Sequence, residues 1–209
     1  MNAYDEILHE NRVVGADIEG FYDFPVLPKN QIYLNETEAV GFSEAKYEKN
    51  PRKKVCHFFQ EERFQEMFWN NPQKYLGILR NFKWVCTPDF SVFSDMPKSL
   101  QIYNSWRNRA SAFFLAQNGV NIIPTVEWGG EDTWDFCFDG LPTRSTLAFS
   151  TNGANDALSV EQAKEAYNEM KRRLEPKRLV IVGHKIDFDF ADIDDVFWLE
   201  TRTMKVRNQ

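Results

Sequence analysis

Short apolar runs of β-type residues alternate with longer stretches of helical period from about Val40 to the end of the chain. The runs are Val40–Phe42, Val55–Phe59, Trp84–Thr87, Asn121–Val126, Thr146–Ser150, Leu179–Val182 and Val196–Glu200. Most are continuously apolar rather than alternating, which is the signature of strands covered on both faces. Between them, Phe64, Met67 and Phe68 mark a short helix starting near Glu61. Asn71-Pro72 supplies an N-cap residue and a first-turn proline for a second helix, with Tyr75, Leu76 and Leu79 on one face. From Lys98 to Asn118, Ile102, Tyr103, Trp106, Ala110, Phe113 and Phe114 recur every three or four residues up to Gly119, a C′ glycine. Ser159 and Gln162 form a capping box before Ala163, Ala166, Tyr167, Met170 and Leu174, with Pro176 beyond the stop. Lys185–Asp195, rich in aspartate and aromatics, reads as a loop.

Strand and helix alternating in this way predict parallel βα units. The pattern favours an α/β fold of compact or incomplete TIM-barrel type, because nothing in it signals a reversal of strand order; the alternative is an open doubly wound sheet. Residues 1–39 are irregular, broken by Gly15, Gly20, Pro25 and Pro28, with room for one helix at Tyr4–Glu10. They read as an arm laid over a single α/β domain of residues 40–209, since their aromatics would cost free energy in water.

Composition narrows the class. With 31 acidic against 25 basic residues the net charge is −6, which counts against nonspecific DNA binding. No apolar run reaches the ~18 residues of a membrane span, and the first thirty residues lack a signal pattern. No membrane association is therefore expected. Three cysteines at no metal-finger spacing suit a reducing, cytoplasmic setting.

Ligands of parallel α/β folds collect at the carboxyl ends of the strands, and polar residues gather there in this chain. Ser43 and Glu44 follow the first strand, His57 lies in the second, and Asp89 and Ser91 follow the third. Glu127 and Trp128 follow the fourth, Ser150, Thr151 and Gly153 the fifth, His184 the sixth, and Glu200 ends the seventh. Asp89 and Glu127 are the candidate catalytic pair: two carboxyl groups across a pocket serve as acid and base when their surroundings push the pKa values apart. Each could equally accept backbone N–H groups in a turn. Arg107 and Arg109 are candidate ligand-binding cations, about 200° apart around their helix. One of them could instead pair internally with a carboxylate such as Asp89. Trp128 and the Ser150, Thr151, Gly153 turn complete the candidate ligand site, the turn as an anion cradle or simply a capped bend. His57 and His184 lack neighbours at ligand spacing, so no metal site is expected, and the sequence names no cofactor.

Taken in order, His57-Phe58-Phe59, Trp69-Asn70-Asn71-Pro72, Thr87-Pro88-Asp89-Phe90-Ser91 and Asp95-Met96-Pro97 resemble an uncharacterised family of bacterial, archaeal and phage proteins, domain of unknown function 4417. The likeness continues through Gln101–Asn104, Arg107, Arg109, Ile123-Pro124, Trp128, Phe136–Gly140, Pro142, Ser150-Thr151 and Gly153. It covers roughly Val40 to Val182. It implies a phage or mobile-element setting and assigns no catalytic residue. Two functions stay open: an acid–base hydrolase or lyase of a small polar or phosphorylated ligand, and a non-catalytic phage-encoded protein that binds or inhibits a host protein.

Overall fold

The computed structural model describes residues 6–35, 38–154 and 156–201. A short antiparallel hairpin, β1 (Ile18–Glu19) and β2 (Phe24–Pro25), lies in the arm. All seven runs read from the sequence are strands: β3 (Glu38–Gly41), β4 (Val55–His57), β5 (Trp84–Cys86), β6 (Ile122–Ile123), β7 (Thr146–Ser150), β8 (Arg178–Val182) and β9 (Asp195–Thr201). Every pairing among them is parallel, in the order β6-β5-β4-β3-β9-β8-β7. The order is cyclic in sequence, without the reversal that a doubly wound sheet requires.

The two edges of the sheet meet. Thr125 and Ala148 form one parallel bridge, with Val126 N donating to Ala148 O at 2.7 Å and Ala148 N donating to Pro124 O at 2.8 Å. Pro124 offers a carbonyl but no N–H, so the ladder does not extend along the seam. The result is a curled, singly wound sheet that is an incomplete barrel.

Alternation along the strands sorts the core into two layers. Ala39, Val55, Cys86, Ile123, Ala148, Val180, Val182 and Leu199 form the interior cluster. Val40, Cys56, Val85, Ile122, Leu147, Phe149, Leu179 and Ile181 face outward, into the layer shared with the helices. Those helices are α1 (Glu62–Asn70) and α2 (Gln73–Leu79) after β4, α3 (Lys98–Gln117) after β5, and α4 (Ala157–Leu174) after β7. The β6–β7 and β8–β9 connections carry no α-helix. Aromatics cover the sheet there instead: Phe136 and Phe138 are buried in the first, while Phe188 and Phe190 of the second pack on Tyr167 at 4.6 and 5.9 Å. The aromatic-rich composition thus substitutes for missing helices.

The arm shuts the amino-terminal end of the barrel. Asn30 Nδ2 donates to Ile122 O (2.8 Å) and Ile32 N to Thr146 Oγ1 (3.0 Å), which places Ile32, fully buried, beneath the starts of β6 and β7. Ile32 and Leu34 belong to the interior cluster, so the carboxyl end is the end at which a site can open. Farther upstream, Glu10–Arg12 is a 3₁₀ turn, and the part of the proposed Tyr4–Glu10 helix before Glu6 lies outside the described residues.

Three local readings change. Pro72, not Asn71, holds the N-cap position of α2, and no side chain caps it. The capping box of α4 pairs Asp156 with Ser159, one turn earlier than Ser159 with Gln162. On α3 the face turned to the sheet is mainly polar: Gln101, Asn104, Ser105, Asn108, Arg109 and Ser111 are buried, whereas Tyr103 is exposed and Trp106 part-buried. Gly119 does end α3 with φ of 74°.

Candidate functional site

Beyond β5 the chain stays extended beside the continuation of β6. Thr125 N donates to Thr87 Oγ1 at 2.9 Å and Thr125 Oγ1 to Thr87 O at 2.7 Å. A Cβ on Gly129 would meet Val92 O at 2.6 Å, so only glycine lets the two segments keep this approach. Backbone in such a segment has no ladder to join and must bond elsewhere. The buried polar face of α3 supplies the partners. Asn108 brackets Phe90, accepting from its N at 2.6 Å and donating to its O at 3.0 Å; Asn104 Nδ2 donates to Ser91 O and Gln101 Nε2 to Phe93 O, both at 2.7 Å. From α1, Gln65 Oε1 accepts Asp89 N (3.2 Å), and Glu62 accepts both Ser91 N (3.2 Å) and Ser91 Oγ (3.0 Å). Five side chains from two helices therefore fix the backbone on either side of Asp89, the kind of support a preorganised group requires.

The Asp89 carboxyl itself is bonded to no donor among the described residues. Burial, followed by the negative charges of Glu127 and Glu62, raises its pKa from the ordinary 3.8 to about 8. Glu127, buried on the neighbouring segment, is also raised by burial but is drawn back by Arg109, which donates from Nη1 to Oε2 at 3.0 Å. Arg109 is buried too; its Nε donates to Asp139 O (2.9 Å) and its Nη2 to Cys137 O. Two neighbouring carboxyl groups thus have opposite surroundings, one with a cation and one with further carboxylates.

Asp89 should imprint a pH dependence on stability. Its folded pKa lies above the unfolded value, so its contribution is fully present below pH ~4 and is lost as pH rises through about 8. Urea midpoints of the wild type should fall across that window, and those of Asp89→Asn should fall less. Parallel curves for the two proteins would show that Asp89 titrates normally.

Arg107 is buried away from Asp89: it donates to Glu66 Oε1 at 2.5 Å and Asn104 Oδ1 at 2.6 Å, with its guanidinium 3.7 Å from the Phe90 ring centroid. The internal partner of Arg109 is Glu127 rather than Asp89. Trp128 is part-buried and packs on Phe149 at 5.3 Å. Ser150 Oγ accepts Asn152 N (3.1 Å) and Thr151 Oγ1 donates to His184 O (2.7 Å), so both hydroxyls serve the bend that Gly153 continues. Asp156 caps the α4 N-terminus beyond it. His184 is bonded to Ala154 O at 2.6 Å. Among the described residues no cluster of His, Cys, Asp or Glu has metal-holding geometry. The three cysteines are free and buried, and burial pushes their thiol pKa values up.

Sequence reasoning missed Glu62, Gln65 and Asn108. Nothing local marks them, because their role is to serve a loop some eighteen to thirty residues away. It also passed over the state of His57, whose side chain is buried inside the barrel with neither ring nitrogen bonded.

This barrel, with its splinted loop and paired carboxyl groups, belongs to the family described as Domain of unknown function (DUF4417), whose model matches residues 16–200. Its relatives include the "Gene 1 protein" of Mycobacterium phage L5, 33% identical over 143 residues, and the "Gene 1 protein" of Mycobacterium phage D29, 33% identical over 144. Each alignment covers 68% of this chain, but only 62% and 53% of the two phage proteins, so the chain spans little more than half the length of these relatives. No solved structure matches the chain. Among the described residues no helix is long and apolar enough to cross a membrane.

Proposed function

We propose that the carboxyl end of the barrel is an acid–base site of the hydrolase or lyase class, acting on a small polar substrate in a phage or mobile-element setting. One observation carries this reading: Asp89 and Glu127 are neighbouring carboxyl groups, one unpartnered and desolvated, the other held by an arginine. Such a pair titrates as a unit. The first proton leaves Glu127, where Arg109 stabilises the anion, and Asp89 keeps its proton at neutral pH as the general acid. Arg107 and Arg109 are both engaged by carboxylates, which argues for a neutral substrate over a phosphorylated one. Trp128 and the Ser150, Thr151, Gly153 turn stand on the neighbouring rim as contacts for its remote part. The free, buried cysteines suit a cytoplasmic location.

A binding protein remains the second reading, favoured by the arm. Ile7, Val14 and Ile18 there are exposed, and Phe21 is 90% exposed.

The deciding experiment incubates the protein with a bacterial small-molecule extract and follows it by mass spectrometry. Wild type should convert one compound into products differing by the gain or loss of water, and folded Asp89→Asn should not. No conversion by the wild type, or conversion undiminished in Asp89→Asn, would hand the lead to the binding reading.

A further inference from the structure

At the carboxyl end of β4, one buried polar side chain has no use in the acid–base pair. His57 ends β4, is 3% exposed, and leaves both Nδ1 and Nε2 without a partner. Burial alone holds the imidazole neutral, with a pKa of about 4. Its ring lies against Phe59 at 5.8 Å, interplanar angle 21°. Strand parity puts it on the same face as Val55, which belongs to the interior cluster.

The neighbouring strand places an amide beside it. Gly41 is in register with His57, and paired residues of parallel strands point to the same side, ~4.8 Å apart. A Cβ on Gly41 would lie 2.4 Å from Gln60 Nε2, so the Gln60 amide lies on this inner face and glycine is required for it to do so. That amide is oriented by Ser43: Gln60 Oε1 accepts Ser43 N at 2.9 Å and Nε2 donates to Ser43 Oγ at 2.9 Å. The inner wall at the carboxyl end of β3 and β4 therefore presents an imidazole, an amide and a hydroxyl, all neutral.

We infer that His57 is a substrate-binding residue at the carboxyl end of β4, hydrogen-bonding a hydroxyl group of a neutral polyol or sugar-like ligand. A neutral imidazole carries one donor and one acceptor, which is the complement of a hydroxyl group that both accepts and donates. A buried polar group without a partner is costly in a core, and Leu or Phe would fill the same position without that cost. The imidazole is explained if the bound ligand supplies the missing partner. The carboxylates of Glu62 and Glu127, whose charges act on Asp89, disfavour an anionic ligand. This inference rests on the acid–base reading for the chemistry, but not for the binding.

The test is separable from that reading. Protein labelled with ¹⁵N in its histidines is titrated with glycerol, erythritol and methyl glucoside, and the ring nitrogens of His57 are followed by long-range ¹H–¹⁵N correlation. At least one probe should shift the His57 signals saturably, leaving those of His9 and His184 in place. His57→Leu should abolish binding while raising the thermal midpoint of the free protein, because two unpartnered nitrogens are removed. A non-saturable response to all three probes, or a lower midpoint for His57→Leu, overturns the inference. Saturable binding in a protein that converts nothing would retain it and sink only the acid–base reading.

Discussion

Arg109→Met is expected to cost about 3–5 kcal/mol of folding stability, the range for removing one partner of a buried ion pair. Arg109 and Glu127 are only 1% and 4% exposed at their side chains, so water cannot take over the lost contact. The substitution also strips the donors from Asp139 O and Cys137 O, anchors of the chain between β6 and β7. That segment holds the arm as well: Gly140 N donates to Glu19 Oε2 at 2.7 Å, and Leu27 N donates to Gly140 O at 2.8 Å. Urea unfolding should therefore show a lower midpoint. The double variant Arg109→Met, Glu127→Gln should recover part of the loss, because no buried charge is left unpaired. A single-variant cost below ~1 kcal/mol would mean that the pair is solvated and exposed, in the range of surface ion pairs.

Asp89→Asn is expected to leave the fold intact and lower turnover by about 10²–10⁴, the contribution of a positioned general acid. The asparagine keeps the shape, and the backbone bond from Asp89 N to Gln65 does not involve the side chain. Glu127→Gln should lower turnover comparably but also cost stability, since Arg109 then loses its counter-charge. The contrast between the two variants is the informative part. Equal destabilisation with proportionate loss of activity would place both carboxyl groups in a structural role.

Much of this arrangement is visible in the residues, and the exceptions have physical causes. The seven strands announce themselves because both faces of each are covered, and the helical stretches between them imply parallel pairing. Asp89 and Glu127 are recognisable as carboxylates just past adjacent strand ends. The α3 face is misread because periodicity weighs only apolar side chains, whereas Gln101, Asn104 and Asn108 are turned inward by the backbone groups of a loop outside any ladder. The same blindness hides Glu62 and Gln65. The partner of Arg109 depends on which side of α3 meets β6, a tertiary fact that helical spacing does not contain. The single bridge at the seam follows from Pro124, yet its meaning appears only once β6 and β7 are seen to be neighbours.

The central claim is that Asp89 is uncharged at neutral pH because its carboxyl is desolvated and Glu127 lies near it. Carboxyl ¹³C titration of the wild type and of Glu127→Gln measures it directly. A pKa of about 8 is expected for Asp89 in the wild type, moving down when the Glu127 charge is removed. A wild-type value near the ordinary 3.8, unchanged in Glu127→Gln, would contradict it.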